Sequence, residues 1–302
     1  EMLSETNEIL DDMTFIEANG FTEHKTTIRS GMPAGTWRKL NYGVQPEKSR
    51  TVSVKDTMGM LETYAEVDKA LADLNGNSAT WRLSEDRAFI EGLNQTQAST
   101  LFYGDSSLDP EKYTGLTPRY SSLSAENGIN IVDAGGTGSD NASIWLIVWG
   151  PNTCHGIYPK GSPAGLQSRD LGEDTLIDAA GGRYQGYRTH YKWDNGLTLR
   201  DWRYVVRIAN IDVSDLTKNA ASGGDLIDLL TQAIELIPNL GMGRPVFYMP
   251  RKLRSFLRRQ IANKVAAATL TMEEVAGKKV VAVDGIPVRR TDALLLTEAR
   301  VV

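Results

Sequence analysis

The sequence predicts an α+β protein, because helical and strand-like repeats occupy separate blocks of the chain. One long helix is predicted at residues 84–103, and strand-like alternation marks residues 21–58 and 183–209. After residue 212, short helices alternate with short strands, which is typical of a small α/β unit. We expect the long helix to act as a spine onto which the sheets are laid.

The bulk properties of the 302-residue chain exclude several classes of protein. A formal net charge of −5 gives no reason to expect sequence-specific binding of nucleic acid. The single cysteine, Cys154, rules out an intramolecular disulfide and indicates a reducing compartment. The best apolar run, residues 144–149, is far too short to span a bilayer, so we expect no membrane association.

Residues 1–20 are predicted to form an N-terminal arm, either as a short amphipathic helix or as an extended segment. Its apolar side chains are Leu3, Ile9, Leu10 and Met13. These are too few to anchor an independent unit, so we expect the arm to gain its burial from neighbouring copies of the chain.

Residues 21–58 are predicted to form a long β-hairpin. The runs HKTTIRSG and SRTVSVKDT alternate polar with apolar or β-branched residues, and the tip between them is rich in glycine and proline. A two-stranded ribbon is marginally stable in water, and Trp37, Leu40 and Tyr42 would be exposed on a monomer. The tip could rest on another subunit or fold onto its own domain. The following run, MLETYAEVD, is predicted as a strand leading into a helical turn closed by Asn75-Gly76.

The spine helix is predicted to begin at Ser84, whose hydroxyl can cap the first turn. Glu85 and Asp86 follow, where the helix dipole favours negative charge. Three- and four-residue spacing predicts one buried stripe, formed by Phe89, Ile90, Leu93, Gln97 and Leu101. Gly104 is placed to end the helix in the left-handed conformation.

Two strand regions are predicted before residue 212. The run IWLIVW indicates a buried strand, followed by a turn and a second short strand. Asn195-Gly196, the preferred pair for a tight hairpin turn, predicts that residues 183–209 form one twisted ribbon. In its second half, alternation puts Val205, Arg207 and Ala209 on one face and Tyr204, Val206 and Ile208 on the other. The run LQSRDLGED is interpreted only as a polar, charged segment.

Residues 212–285 are predicted to form a small α/β domain. The run DLIDLLTQAIELI is a helix ended by Pro238, and RPVFYM is a short apolar strand. Pro250 suits the first turn of a second helix, whose apolar stripe is Leu253, Phe256, Leu257, Ile261 and Val265. KKVVAV is a strand, Asp284-Gly285 a turn, and IPVRRTDALL the last strand.

The search for chemistry yields no catalytic, cofactor-binding or metal-binding residues. The three histidines lack metal-ligand spacing, and the glycine-rich run at 133–138 fails the dinucleotide pattern because position 141 is Asn141. A Cys154–His190 pair, as in a cysteine-dependent hydrolase, is the weak alternative.

One basic cluster lies on the second helix and comprises Arg251, Lys252, Arg254, Arg258, Arg259 and Lys264. It could contact phosphates of nucleic acid without sequence preference, meet acidic partners on adjacent subunits, or form a solvated face. No aromatic residues interleave with it for base stacking.

Several long runs together resemble the major capsid protein family of tailed double-stranded DNA phages, in the short-tailed branch. They are TTIRSGMPAGTWRKLNYGVQPEKS, EVDKALADLNGN, RLSEDRAF, LFYGD, IWLIVWGPNTCHGIYPKG, YRTHYKWDNGLTLRDWRYVVRIANID and GIPVRRTDAL. The resemblance covers nearly the whole chain. It implies the Hong-Kong-phage type of capsid fold, here in a permuted order in which the ribbon precedes the axial domain.

The resemblance also implies a division of the chain into named parts. These are an N-terminal arm (1–20), an extended β-hairpin loop with its connection (21–75), a peripheral domain (76–211) with the spine helix (84–103) and the ribbon (183–209), an axial domain (212–285) and a return to the peripheral domain (286–302).

The function that the resemblance implies is structural, with hexamers and pentamers forming an icosahedral shell around packaged double-stranded DNA. Each extended loop would lie over a neighbour's peripheral domain, with Trp37, Arg38 and Tyr42 at the joint and Arg29 and Lys39 as salt-bridge donors. The residues Arg251, Arg254, Arg258 and Arg259 would face the shell interior or another subunit.

The implied partners are other copies of the chain, the packaged DNA, and scaffold, portal and decoration proteins. The protein would reside in the virion after assembly in the host cytoplasm, and would not be an enzyme. A second possibility is a cargo-enclosing nanocompartment of the same fold, and a third, weaker one is the Cys154-dependent hydrolase.

Overall fold

The structure is a computed structural model of one chain. It describes residues 5–74, 76, 78–217, 224–263, 270–275 and 278–302. Four residues singled out from the sequence therefore lie outside the described residues, namely Leu3, Asn75, Lys264 and Val265.

The described residues form an α+β fold with thirteen strands in one connected sheet system. The strands are β1 (Phe15–Glu17), β2 (Glu23–Gly31), β3 (Arg50–Asp68), β4 (Ile131–Asp133), β5 (Asn141–Trp149), β6 (Cys154–Tyr158), β7 (Gln167–Ile177), β8 (Arg183–Leu199), β9 (Val205–Asp212), β10 (Arg244–Met249), β11 (Leu270–Val275), β12 (Lys278–Val283) and β13 (Ile286–Arg290). The helices are α1 (Ile9–Asp12), α2 (Lys69–Leu74), α3 (Ser78–Tyr103), α4 (Leu116–Arg119), α5 (Leu226–Glu235) and α6 (Arg251–Asn263).

The centre of the molecule is β5, which is buried along its whole length as its apolar sequence predicts. It lies between β10 and β9, and β4 adds to the outer side of β9. One face of this sheet packs against α5 and α6, and the other packs against the end of α3. The alternation predicted in β9 is confirmed, because Val206 and Ile208 join the first core and Val205 and Ala209 join the second.

The spine helix α3 is longer than predicted, since it begins at Ser78 and Ser84 lies inside it. The prediction that Ser84 caps the helix was wrong. Ala79, Arg82 and Leu83 are good helix formers, and Arg82 is held by an ion pair with Asp170 at 2.8 Å. The predicted end at Tyr103 is confirmed.

Gly104 ends the helix for a different reason from the one predicted, because its backbone is not left-handed. A Cβ atom at this position would lie 2.5 Å from the carbonyl oxygen of Tyr113 and 2.6 Å from that of Thr100. Glycine is therefore required here by the close approach of the following loop.

The predicted hairpin is confirmed, with β2 and β3 antiparallel from the Glu23–Thr57 pair to the Gly31–Arg50 pair. β3 then continues to Asp68 and leads directly into α2, so the run MLETYAEVD is a strand as predicted. Over this second half β3 leaves β2 and pairs with β8, which ties the hairpin into the main sheet.

The ribbon predicted at 183–209 was wrong. β8 runs without a turn through Asn195 and Gly196, which pair with Gly59 and Met58 of β3. Its sequence-local partner is β7, the charged segment that was not recognised as a strand. A Cβ on Gly196 would lie 2.8 Å from the carbonyl oxygen of Thr57, so this glycine allows close strand packing rather than a turn. The extended conformation of Asn195 and Gly196 is set by the position of β8 between other strands, which local turn propensity cannot predict.

The expectation that the arm depends on neighbouring copies was wrong for its described part. Ile9 is fully buried in its own chain, and β1 pairs with β6. The buried carboxylate of Asp12 accepts a hydrogen bond from the Tyr248 hydroxyl at 2.9 Å and forms an ion pair with Arg289 at 3.0 Å. These polar anchors add to an apolar surface that looked too small when the sequence was considered alone.

The remaining predicted elements after residue 212 are confirmed, and Asp225 caps α5 through its carboxylate. β11, which was not predicted, pairs with β12, and β13 pairs with both β12 and β10. The division of the chain into arm, extended loop, peripheral domain and axial domain stays a prediction.

Candidate assembly surfaces

Polar contacts hold the part of the hairpin that is closest to the body of the subunit. Asp56 of β3 is buried, and its carboxylate forms an ion pair with Arg119 of α4 at 2.8 Å. The same guanidinium donates to the carbonyl oxygens of Thr114 and Leu197, at 3.1 and 3.3 Å. On the other strand, the Asn19 side chain makes two hydrogen bonds with the backbone of Lys25. The proximal part of the hairpin is thus fixed to the body of the subunit.

The hairpin tip, in contrast, is not packed against the subunit, because residues 32–49 are almost entirely exposed. Trp37 is 100 % exposed, Leu40 86 % and Tyr42 69 %. The hydrogen bonds that this segment makes with described residues stay within it, such as that from the Ala34 amide to the Glu47 carboxylate at 2.7 Å. Of the two sequence-based alternatives, folding of the tip onto its own domain is therefore excluded.

The charged residues predicted at the tip are also exposed. Arg29, Arg38 and Lys39 form no ion pair with any described residue. The Arg38 guanidinium donates only to the carbonyl oxygen of Tyr42, at 3.5 Å. The tip therefore presents large apolar side chains together with unpaired positive charge, which is the composition of a contact surface rather than of a solvated loop.

A groove of about 410 Å³ lies between β3 and the spine helix. Its apolar wall comes from Leu61, Phe89 and Leu93, and Gly92 lies on its floor. A Cβ on Gly92 would meet no atom within 4 Å, so the groove remains open above it. The groove exists only because β3 packs against the spine helix, so the sequence of the helix alone does not predict it.

A second groove, of about 520 Å³, is lined by the predicted arginines of α6. Arg251, Arg254, Arg258 and Arg259 line it together, and Arg290 joins them from β13. Sequence reasoning missed Arg290, although the pair Arg289-Arg290 in the run IPVRRTD was a usable signal. Lys252 is exposed but does not line this groove.

The structure contradicts a Cys154–His190 hydrolase. Cys154 pairs with Leu199 of β8, nine residues from His190, which corresponds to about 30 Å along the strand. Burial raises the pKa of the Cys154 thiol to about 12, which keeps it protonated and unreactive. His190 instead lies 3.1 Å from the Glu62 carboxylate and stacks on Tyr64.

Within the described ranges, no group of three or more His, Cys, Asp or Glu side chains has the geometry of a metal site. In the same part of the chain, no helix is long and apolar enough to cross a membrane.

The chain shows clear similarity to phage capsid proteins. The family model described as major capsid protein GP7 matches residues 1–302. A chain of the bacteriophage Epsilon15 structure, obtained by cryo-EM and modeling, is 40 % identical with a TM-score of 0.76, and the match covers 100 % of this chain and 91 % of that one. No curated protein sequence matches the chain.

A more distant likeness concerns the fold alone. The bacteriophage JBD30 capsid matches with 11 % identity and a TM-score of 0.56, covering 97 % of this chain and 91 % of that one.

Proposed function

The chain belongs to the family of major capsid protein GP7, and on this premise we propose that its hairpin tip joins neighbouring subunits of the shell. The protein is a structural protein of a tailed-phage virion and forms an icosahedral capsid. The proposal concerns how the copies are held together, and it rests on the exposure of Trp37 at the end of a firmly based hairpin.

In a single subunit, the large apolar side chains of the tip are exposed to water, which is unfavourable. Burying apolar surface contributes about 25 cal/mol per Å², so the tip can add several kcal/mol to an interface once Trp37, Leu40 and Tyr42 are covered. The base of the hairpin is held by the Asp56–Arg119 ion pair, so little further ordering is needed on contact. A hairpin that is already ordered loses less conformational entropy on association than a flexible loop would, which favours binding.

The groove beside the spine helix fits as the receiving surface on the neighbouring copy. Its apolar wall can accept the Trp37 indole, and the absence of a side chain at Gly92 leaves the space. Glu85 is exposed and lies one helical turn before Phe89, so it offers a carboxylate to Arg38 or Lys39. Glu62 also lines the groove, but its carboxylate already pairs with His190 and Lys192. Arg29 lies on β2, closer to the base of the hairpin than Arg38 and Lys39, so it would pair with a different carboxylate of the neighbouring copy.

Further parts of the assembly belong to the same proposal. The copies form hexamers and pentamers, assemble in the host cytoplasm, and enclose double-stranded DNA through non-specific contacts. Scaffold, portal and decoration proteins are the additional partners. In the predicted division, residues 76–211 form the peripheral domain that receives the tip, and residues 212–285 form the axial domain. The absence of enzymatic activity stays a prediction.

The test is deletion of residues 32–46, which removes the tip and keeps both paired strands of the hairpin. The expected result is a folded subunit that forms no shells, as judged by circular dichroism and negative-stain microscopy. Shells at the wild-type yield would refute the proposed role of the tip. As a control, an equally exposed loop residue far from the tip, Leu108, is changed to alanine, and shells should form normally.

The nanocompartment alternative is separated by the content of the particles. Gradient-purified particles from infected cells are treated with nuclease and then opened, and protected DNA is measured. Long protected double-stranded DNA supports packaging, whereas particles holding protein without DNA would favour the alternative.

A further inference from the structure

The arginine groove of α6 carries more positive charge than the subunit itself neutralises. Asp292 provides the carboxylate for Arg251 and Arg290, at 2.8 and 2.7 Å. Arg258 and Arg259 are exposed and form no ion pair with any described residue. The groove thus presents an excess of guanidinium groups to whatever lies against it.

Arg254 shows that these charges are mutually unfavourable in a lone subunit. It is half-buried, and its Nε atom has no hydrogen-bond partner among the described residues. Burial lowers the pKa of this guanidinium; nearby Glu8 opposes the effect, and the like charges of Arg258 and Arg290 add to it. A carboxylate brought into the groove would relieve this repulsion and could accept paired N–H donors from an arginine.

An acidic surface lies beyond the other helix of the same layer, around α5. It is formed by Asp133, Asp212, Asp215, Asp225, Asp228 and Glu235. Asp228 and Glu235 are exposed, seven residues apart on one side of the helix, and neither forms an ion pair with a described residue. We call this set the acidic flank.

The two surfaces lie over different strands of one sheet. α5 and α6 cover the same face of the sheet, α5 over β9 and β4 and α6 over β13. The strands run in the order β13, β10, β5, β9 and β4, so four strand spacings, or roughly 20 Å, separate β13 from β4. The acidic flank borders β4, and the arginine groove borders β13, which pairs with β12 on its other side.

We propose that the arginine groove of one copy receives the acidic flank of the next copy, in a head-to-tail contact that repeats around each ring of subunits. A contact between two different patches of the same chain closes into a ring when the rotation between copies allows it. The inference rests on the proposed shell function and names the residues that select the neighbour within a ring.

Two features favour a second copy over nucleic acid as the occupant. The complementary charge is present on the same chain, on a separate surface about four strand spacings away, and a head-to-tail contact requires two such separate patches. Among the described residues, no aromatic side chain lines the arginine groove to stack on bases, and the nearby Phe256 ring is already covered by the Arg259 guanidinium at 5.1 Å. DNA contact at this groove is therefore an outcome of the test and not part of the inference.

The experiment reverses the charge on each surface separately and then together in the full-length chain. One variant carries Arg258→Glu and Arg259→Glu, a second carries Asp228→Lys and Glu235→Lys, and a third carries all four changes. The control is Lys252→Glu, which changes charge on the same helix outside the groove. Particle yield is measured by gradient sedimentation and electron microscopy, with circular dichroism to verify folding.

We expect each two-residue variant to lose particle yield at least tenfold, the four-residue variant to recover most of it, and Lys252→Glu to resemble wild type. Normal yield from the Arg258/Arg259 variant would overturn the inference, and normal shells with reduced DNA would assign the groove to DNA instead. Loss in both variants without recovery in the third would also overturn it.

A variant that does not fold and a wild-type chain that forms no particles are interpreted separately. If a reversal variant does not fold, the neutral pairs Arg258→Gln with Arg259→Gln and Asp228→Asn with Glu235→Gln replace it, and unchanged yield from both neutral pairs counts against the inference. Failure of the wild-type chain to form particles would strike the proposed function itself, whereas the charge variants test only the contact within the ring.

Discussion

Arg207 and Glu298 form a buried ion pair, with the guanidinium Nη2 atom 2.8 Å from the carboxylate Oε2 atom. The other carboxylate oxygen accepts a hydrogen bond from the Tyr103 hydroxyl at the end of the spine helix, at 2.5 Å. A second guanidinium nitrogen donates to the carbonyl oxygen of Tyr120 at 2.8 Å. This pair therefore connects the C-terminal segment, the central sheet and the spine helix.

The first prediction concerns this pair. Glu298→Ala should lower the free energy of unfolding by about 3–5 kcal/mol, because it leaves the Arg207 guanidinium buried without its counter-ion. Replacing both partners, as in Arg207→Met with Glu298→Leu, should cost clearly less than Glu298→Ala alone. Urea unfolding of unassembled subunits measures both values.

The matched control for this prediction is the partly exposed pair of Asp201 and Arg203, which lies at 2.7 Å. Arg203→Ala should cost less than about 1 kcal/mol, because solvent screens an exposed pair. Equal losses at the two pairs would show that burial does not determine the contribution of Glu298.

The second prediction concerns Trp37. Trp37→Ala should leave the stability of the subunit within about 0.5 kcal/mol of wild type, because the side chain is 100 % exposed in the single chain. Assembly should fall sharply, since the indole is the largest apolar group of the tip. Unfolding curves and sedimentation of particles measure the two effects. A destabilised subunit that assembles normally would contradict the proposed contact.

The third prediction concerns the groove beside the spine helix. Gly92→Phe should block assembly by filling the space proposed for the neighbour's Trp37, without destabilising the subunit. Gly92→Ala is the matched control, and it should assemble and gain up to about 1 kcal/mol, because glycine is unfavourable within a helix. Electron microscopy of both variants decides, and wild-type assembly by Gly92→Phe would exclude this groove as the receiving surface.

The fourth prediction concerns pH. His155 is buried, and burial lowers its pKa from 6.5 to about 4, with His24 and Arg200 adding to the shift. The unfolded chain therefore binds more protons than the folded chain between these values, and stability decreases as pH falls through this window. The shift from 6.5 to about 4 corresponds to a loss of up to about 3 kcal/mol.

The measurement is urea unfolding of unassembled subunits at several pH values between 7 and 4, compared with His155→Gln. The substitution removes the titrating group, so the decrease in stability over this range should be smaller than in wild type. The carboxylates that titrate near pH 4 are common to both proteins and cancel in the comparison. Identical pH profiles would show that His155 does not contribute.

The candidate surfaces were only partly predictable from the sequence. The exposed tip residues follow from a hairpin too poor in apolar residues to have a core of its own, and the sequence places four arginines on the polar face of one helix. The fifth, Arg290, comes from a strand that pairs beside the helix layer, and the groove at Gly92 exists only because β3 packs against α3. The positions of Arg290 and of the groove at Gly92 depend on which segments, far apart in the sequence, come together in the fold.

The sequence by itself determined which faces are buried, as in the unbroken apolar run of β5 and the alternation of Val205, Val206 and Ile208 in β9. These patterns reflect the local geometry of a strand or helix, so they can be recognised without knowing any partner. The tertiary structure decided the pairing. Asn195-Gly196 lies inside a strand because β3 and β6 hold both sides of β8, and Ile9 is buried because its own chain provides the surface. Partner choice is set by long-range packing, which outweighs the small free energies of local turn and cap preferences.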